Sequence, residues 1–211
     1  MGFGGFGERL VDFYEGLEAD NSKAYWTDHK PVYDEHVHAP MAALLADLEP
    51  ELGRGKIFRP YRDLRFSKDK TPYKTHCGAT VGHLYLEVGA DGLLVAAGYY
   101  SPNPDQVERL RTAIDDDRRG ADLEQRLKTL AQQGFERGGE RLRTRPRGYD
   151  ADHPRIELLR HKGLYGYRRW EPDDELHAPA CLDRVRAAHV ALRPLIEWLD
   201  DHVGPSTMPR R

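Results

Sequence analysis

The residues best equipped for chemistry lie between Arg54 and Lys74. There Arg54, Lys56, Arg59, Arg62, Arg65, Lys68, Lys70 and Lys74 stand against only Asp63 and Asp69. That is a local excess of six positive charges in a chain whose formal net charge is −3. Arginine presents a planar fork that matches a phosphate or carboxylate bidentately, and lysine adds a point charge. Phe58, Tyr61, Phe66 and Tyr73 are interleaved among the cations. The chemistry such a segment serves is anion binding or, where carboxylates from elsewhere meet these heads, a buried ion-pair network.

In an extended chain Arg59, Tyr61, Asp63, Arg65 and Ser67 share one face, and Arg62, Leu64, Phe66 and Lys68 share the other. Leu64 and Phe66 are expected to face the core and to draw Arg62 inward. An inward arginine needs a carboxylate or a ligand, and Asp63, Glu87 and Asp152 are the candidate carboxylates. The expected anion site has Arg59, Arg62, Arg65 and Lys68 gripping the anion, with Asp63 orienting the arginines. Tyr73 and Lys74 line the approach, and Ser67, Lys70 and His76 complete the set. The ligand expected there is a small molecule bearing phosphate or carboxylate. A nucleic-acid or protein partner on the same basic surface is the less favoured alternative, and a purely structural ion-pair network is the third reading. Catalytic residues, cofactor, oligomeric state and enzyme activity stay open at this stage.

Other constellations are weaker. Ser67-Lys68-Asp69-Lys70 matches an S-x-x-K pattern, but Pro72 disfavours the helix that would place the serine one turn from the lysine, and no companion motif occurs. The ten histidines do not fall at ligand spacing. His36 and His38 point to opposite sides of a helix, and H-E-x-x-H and C-x-x-C are absent, so no metal site is expected. A general acid–base pairing of His76 with Asp63 is chemically reasonable but has no spacing signal behind it. The glycines of GFGGFG follow no strand and lack the lysine of a phosphate loop. Tyr99, Tyr100, Tyr165, Tyr167 and Trp170 read as sheet packing rather than as a stacking platform.

The elements that must position these groups show in the periodicity. Apolar residues recur at helical spacing over residues 6–17. Asn21 or Ser22 caps a short helix that should stop before Pro31, and a longer helix follows to Leu52 with Pro40 as a kink or restart. Residues 56–76 read as extended chain with an exposed turn near residues 68–71. Residues 76–100 are small, β-branched and aromatic around the turn Gly89-Ala90-Asp91-Gly92, with Leu84, Leu86 and Val88 on one face and Tyr85 and Glu87 on the other. Asn103-Pro104 opens a helix, a second runs over 123–133, a short strand is expected at 141–144, a short helix from Asp152 to Arg160, and a strand at 164–170. The C-terminal helices carry Pro194 as a kink or restart. The expected fold is a single α+β domain over 6–203, an antiparallel sheet in the middle of the chain flanked by N- and C-terminal helices. Residues 1–5 are expected as a flexible N-terminus and 204–211 as a flexible tail.

Three stretches resemble a known family: GLEADNSKAYWTDHK (16–30), KIFRPYRDLRFSKDKTPYKTH (56–76) and GYDADHPRIELLRHK (148–162). They resemble a bacterial domain-of-unknown-function family, number 2461 in that series, over almost the whole chain. The resemblance implies one α+β domain and carries no catalytic or binding residue onto these positions.

The totals bound the rest. With 39% hydrophobic and 32% charged residues the chain reads as folded, and no window approaches the roughly 18 apolar residues of a membrane span. No membrane partner is expected. The start MGFGGFGERL lacks a secretory pattern, so a cytoplasmic location is expected. Cys77 and Cys181 are then expected as reduced, buried side chains.

Overall fold

The computed structural model describes residues 2–63 and 70–208. In chain order the elements are α1 (Leu10–Ala19), α2 (Lys23–Tyr33), a π-helical turn (Asp34–His38), α3 (Ala39–Leu52), β1 (Lys56–Ile57), β2 (His76–Val81), β3 (Leu84–Gly89), β4 (Gly92–Tyr99), α4 (Pro104–Asp115), α5 (Asp117–Gln132), β5 (Glu136–Gly138), α6 (Ile156–Leu159), β6 (Leu164–Trp170) and α7 (Ala180–His202). The six strands form one sheet in the order β1-β2-β3-β4-β6-β5, and the β1/β2, β2/β3 and β5/β6 pairs are antiparallel. This is an α+β fold with N-terminal helices, a central sheet and a long C-terminal helix.

Contacts group the chain into two units, Met1–Val95 with Arg169–Ala187, and Ala96–Arg168 with Ala188–Arg211. The divisions fall inside β4, β6 and α7 rather than in a linker.

In the first unit α1 and α3 cover β2 and β3. The alternation of the strands decides which face they cover. Cys77, Ala79 and Val81 stand opposite Val88, Leu86 and Leu84, and all six are buried. The apolar set of β3 lies on the expected face, and each fully buried leucine contributes about 1.5–3 kcal/mol. Gly92 closes the β3–β4 turn at φ +83°, where a side chain would meet the Trp170 carbonyl at 2.1 Å.

The N-terminal helices depart from the expected breaks. Ser22 Oγ does accept from the Tyr25 N–H at 3.1 Å, but α2 runs through Pro31, and α2, the π turn and α3 follow one another without a gap. Pro40 has no N–H to give the His36 carbonyl. The π turn absorbs the mismatch, with Ala39 N–H donating to Asp34, and Gly7 N–H reaches the His36 carbonyl at 3.1 Å. Residues of the GFGGFG run therefore meet a helix at its weak point. Phe3, in the stretch expected to be flexible, is 5% exposed, and its N–H donates to Asp47 at 2.7 Å.

In the second unit Asn103 N–H is held by Gln106 Oε1 at the start of α4. α5 begins at Asp117, six residues before the expected start, because Asp116 accepts from the Arg119 N–H and supplies the cap that composition alone concealed. The strand expected at 141–144 lies instead at Glu136–Gly138, and Arg141 keeps only an isolated bridge to His161. Pro194 sits inside a continuous α7. Beyond α7, Asp105 accepts from the Ser206 hydroxyl and the Thr207 N–H, both at 2.8 Å, which holds residues 206 and 207 of the expected tail. Among the described residues no helix is long and apolar enough to cross a membrane.

Candidate functional site: a cationic sheet face around Glu87

The basic segment folds back on itself. Arg62 N–H donates to the Pro72 carbonyl at 2.9 Å, Lys74 N–H donates to the Pro60 carbonyl at 2.8 Å, and Tyr61 and Tyr73 form an antiparallel bridge. Arg62 is half-buried, and its Nε donates to the Tyr73 carbonyl at 2.9 Å. A backbone oxygen thus takes one donor of the head for which a carboxylate or ligand partner was expected. Tyr73 is fixed from both sides. Its N–H donates to Asn21 Oδ1 at 2.9 Å, Asn21 Nδ2 donates to its carbonyl at 3.2 Å, and its ring stacks on Trp26 at 4.5 Å. With 5% exposure, the Tyr73 ring belongs to an aromatic cluster rather than to an open approach.

Lys74 leads into β2 and its ammonium lies 5.5 Å above the Phe58 ring. His76 begins the strand on the face opposite the core. Glu87 stands on β3 across from Gly78, diagonal to His76, because His76 pairs with Gly89 two residues on. The His76 Nε2 to Glu87 Oε2 distance is 3.6 Å. Glu87 also accepts from the Tyr85 hydroxyl at 2.8 Å and from Arg169 Nη2, on β6, at 2.8 Å. Gly78 leaves the space over β2 to its neighbours: a side chain there would meet the Tyr85 hydroxyl at 3.0 Å and the Phe58 ring at 3.3 Å.

The electrostatics follow from this crowding. Burial lowers the pKa of His76 below the usual histidine value. Glu87 pulls it back up, but Lys74, Arg62 and Arg169 push it down, and the net shift is downward. His76 is therefore neutral at neutral pH. Burial raises the pKa of Glu87, yet the Arg169 hydrogen bond, the nearby His76 and the Tyr85 hydrogen bond outweigh it, so Glu87 stays ionised below the usual carboxylate range. A neutral imidazole beside an ionised carboxylate, with three cations acting on it, can accept a proton and attract an anion.

Of the remaining expected site residues, Arg59, Asp63 and Lys70 are exposed, while Arg65, Ser67 and Lys68 lie outside the described residues, as do Leu64 and Phe66. The described face thus brings together Arg62, Lys74 and His76 of the expected set. It adds Tyr85 and Phe58, and also Arg169, to which no sequence spacing pointed, since it comes from a strand 82 residues beyond Glu87.

The thiols are chemically quiet. Burial pushes Cys77 up to about 11 and Cys181 up to about 12, so both are protonated at neutral pH and poor nucleophiles. Cys77 lies on the buried core face of β2. Among the described residues no three of His, Cys, Asp and Glu gather as a metal set would require.

Residues 9–198 match the family described as a conserved hypothetical protein, DUF2461. The chain belongs to that family. No curated protein and no solved structure matches it. The match covers the helices of the first unit, the whole sheet and most of α7, so the cationic face lies inside the region that defines DUF2461.

Proposed function

We propose that this DUF2461 protein binds a small anionic ligand, bearing phosphate or carboxylate, on the sheet face around His76. The observation that carries the reading is the charge balance at that histidine. Among the described residues that act on it most strongly, Lys74, Arg62 and Arg169 are cations and Glu87 alone is an anion. An anion entering beside Arg62 and Lys74 would gain two charge-assisted contacts on a partly desolvated surface. Arg59, Arg65, Ser67, Lys68 and Lys70, on or next to the same chain segment, are further candidate ligand contacts. Neutral His76 next to an ionised carboxylate is suited to accept a proton from such a ligand, which is the form an enzymatic role would take.

The competing structural reading has its own observation, the Arg169–Glu87 pair at 2.8 Å. Thermal melting separates the two. Ligand binding raises the melting temperature of the wild-type protein in inorganic phosphate or a dicarboxylate, and Arg62→Ala and Lys74→Ala remove that rise while remaining folded. A melting temperature insensitive to all anions, together with variants that unfold, would favour the purely structural network.

A further inference from the structure

A second basic segment lies in the other unit. Residues 136–147 contain Arg137, Arg141, Arg143, Arg145 and Arg147 against Glu136 and Glu140. The two glutamates are engaged, Glu136 by the Tyr167 hydroxyl at 2.7 Å and Glu140 by Lys162. Arg143, Arg145 and Arg147 are exposed, and none of them meets a carboxylate among the described residues. This contrasts with Arg109, Arg119, Arg126, Arg155 and Arg160 of the same unit, each of which is ion-paired.

The loop that carries these arginines is pinned. Arg160 Nε donates to the Leu142 carbonyl at 2.9 Å and its Nη2 to the Arg143 carbonyl at 2.8 Å, while Nη1 holds Glu157 at 2.9 Å. Leu142 N–H returns a bond to the Arg160 carbonyl at 2.8 Å, and Pro146 is buried. The backbone is fixed, Arg145 Nη1 donates to the Tyr149 carbonyl, and the side chains of Arg143 and Arg147 are exposed, an arrangement that lowers the entropic cost of gripping a polyanion.

Beside the loop stands an aromatic ladder. Tyr100 is 77% exposed, and its ring lies 5.6 Å from Tyr165, which lies 6.0 Å from Tyr167. Tyr165 stands opposite Gly138 across the β5/β6 pair, and its ring lies so close over Gly138 that a side chain there would meet it at 2.2 Å. The loop that carries the arginines leaves the strand at the next residue, Gly139, and reaches Arg143 four residues on. An exposed ring backed by two half-buried ones suits a planar face, and arginines without carboxylate partners suit phosphates; one polymer presents both at a short repeat.

We propose that Arg143, Arg145 and Arg147, together with the Tyr100–Tyr165–Tyr167 ladder, bind single-stranded nucleic acid. Phosphates sit on the arginines, and one or two bases stack on Tyr100 and Tyr165. The proposed residues differ from those of the Glu87 face, and their variants leave Arg62, Lys74 and His76 unchanged.

Fluorescence anisotropy of a labelled oligo(dT) of about 15 nucleotides tests it, with the full chain at rising salt. Three phosphate contacts predict a logarithmic salt slope of about −2, so that binding weakens roughly twenty-fold between 50 and 200 mM salt. Arg143→Ala/Arg145→Ala/Arg147→Ala should weaken binding roughly tenfold or more and flatten the slope, and Tyr100→Ala should weaken it about fivefold or more at unchanged slope. Arg62→Ala should leave binding unchanged. Circular dichroism confirms that the exposed-site variants stay folded. The proposal is overturned if the wild-type chain does not bind at 50 mM salt, or if the triple variant binds as well as the wild type. Equal binding of heparin or duplex DNA with no effect of Tyr100→Ala would also overturn it, since that outcome marks a surface without base stacking.

Discussion

Glu87 is the residue on which the candidate site turns. It takes hydrogen bonds from Tyr85 and Arg169 and stands 3.6 Å from His76, so one carboxylate answers three neighbours. Replacing it by glutamine keeps the shape and removes the charge. Glu87→Gln should lower the pKa of His76 further, because the one anion that pulled it upward is gone, and histidine resonances followed through a pH titration will show this. The pair with Arg169 is partly exposed, so the same change should cost only about 1 kcal/mol in chemical denaturation. At this scale the sequence was legible in type but not in partner. The local charge excess drew attention to residues 54–74, and Glu87 stood among the candidate counter-charges for Arg62. In the structure Arg62 Nε donates to a backbone carbonyl, and Glu87 accepts from Arg169. No periodicity relates residues on strands that far apart in the chain, whereas a carbonyl acceptor is offered by every residue and leaves no mark in composition.

Among the elements, the strands were the most legible. Alternation in β3 sorted Leu84, Leu86 and Val88 from Tyr85 and Glu87, and the partition holds because a strand that covers a core on one face has a period of two. The expected extent of β6, residues 164–170, also coincides with the observed strand, Leu164–Trp170. Proline misled at Pro31, where α2 continues to Tyr33, whereas α3 does restart at Ala39, beside Pro40, and α7 runs through Pro194 without a restart. Proline removes a donor, and a helix survives when the orphaned carbonyl finds another. For Pro40 that replacement is the Gly7 N–H, 29 residues before the His36 carbonyl it serves, and local reading has no access to it. A side chain at Gly7 would come within 2.1 Å of His36 Nδ1. Gly7→Ala should therefore destabilise the protein by about 1–3 kcal/mol in thermal or urea denaturation, whereas Gly4→Ala, whose added atom meets nothing within 4 Å, should be close to neutral. A Gly7→Ala protein as stable as the wild type would remove this link between the N-terminus and the π turn.

For the molecule as a whole His76, His161 and Glu87, which titrate on the acid side, share a sign. Burial lowers the pKa of His161 to about 4; the hydrogen bond to the Gly163 carbonyl opposes that shift, and the charges of Arg137 and Arg141 add to it. An unfolded histidine takes up its proton near 6.5, so between about 6.5 and 4 the unfolded chain binds more protons than the folded one, and stability falls as the pH drops through that window. His76, lowered for the same first reason, acts in the same direction. The depressed Glu87 adds a contribution that is present above its unfolded pKa and lost as the pH falls through its folded one. The melting temperature should accordingly decline from neutral pH toward about 4, and His161→Gln should flatten the decline; a profile level across that range would contradict the buried, neutral state of His161.

The central claim, that the Glu87 face attracts an anion, is tested most directly at His76 itself. The pKa of its imidazole, read by NMR from a histidine-labelled protein with and without inorganic phosphate at fixed ionic strength, reports the field of Arg62, Lys74 and Arg169 on the spot where the anion should sit. The account predicts a value below the usual 6.5 in the free protein that rises when phosphate binds, because the bound anion offsets those cations, and a rise that is lost in Arg62→Ala. A His76 pKa that does not move with phosphate at any concentration would contradict it.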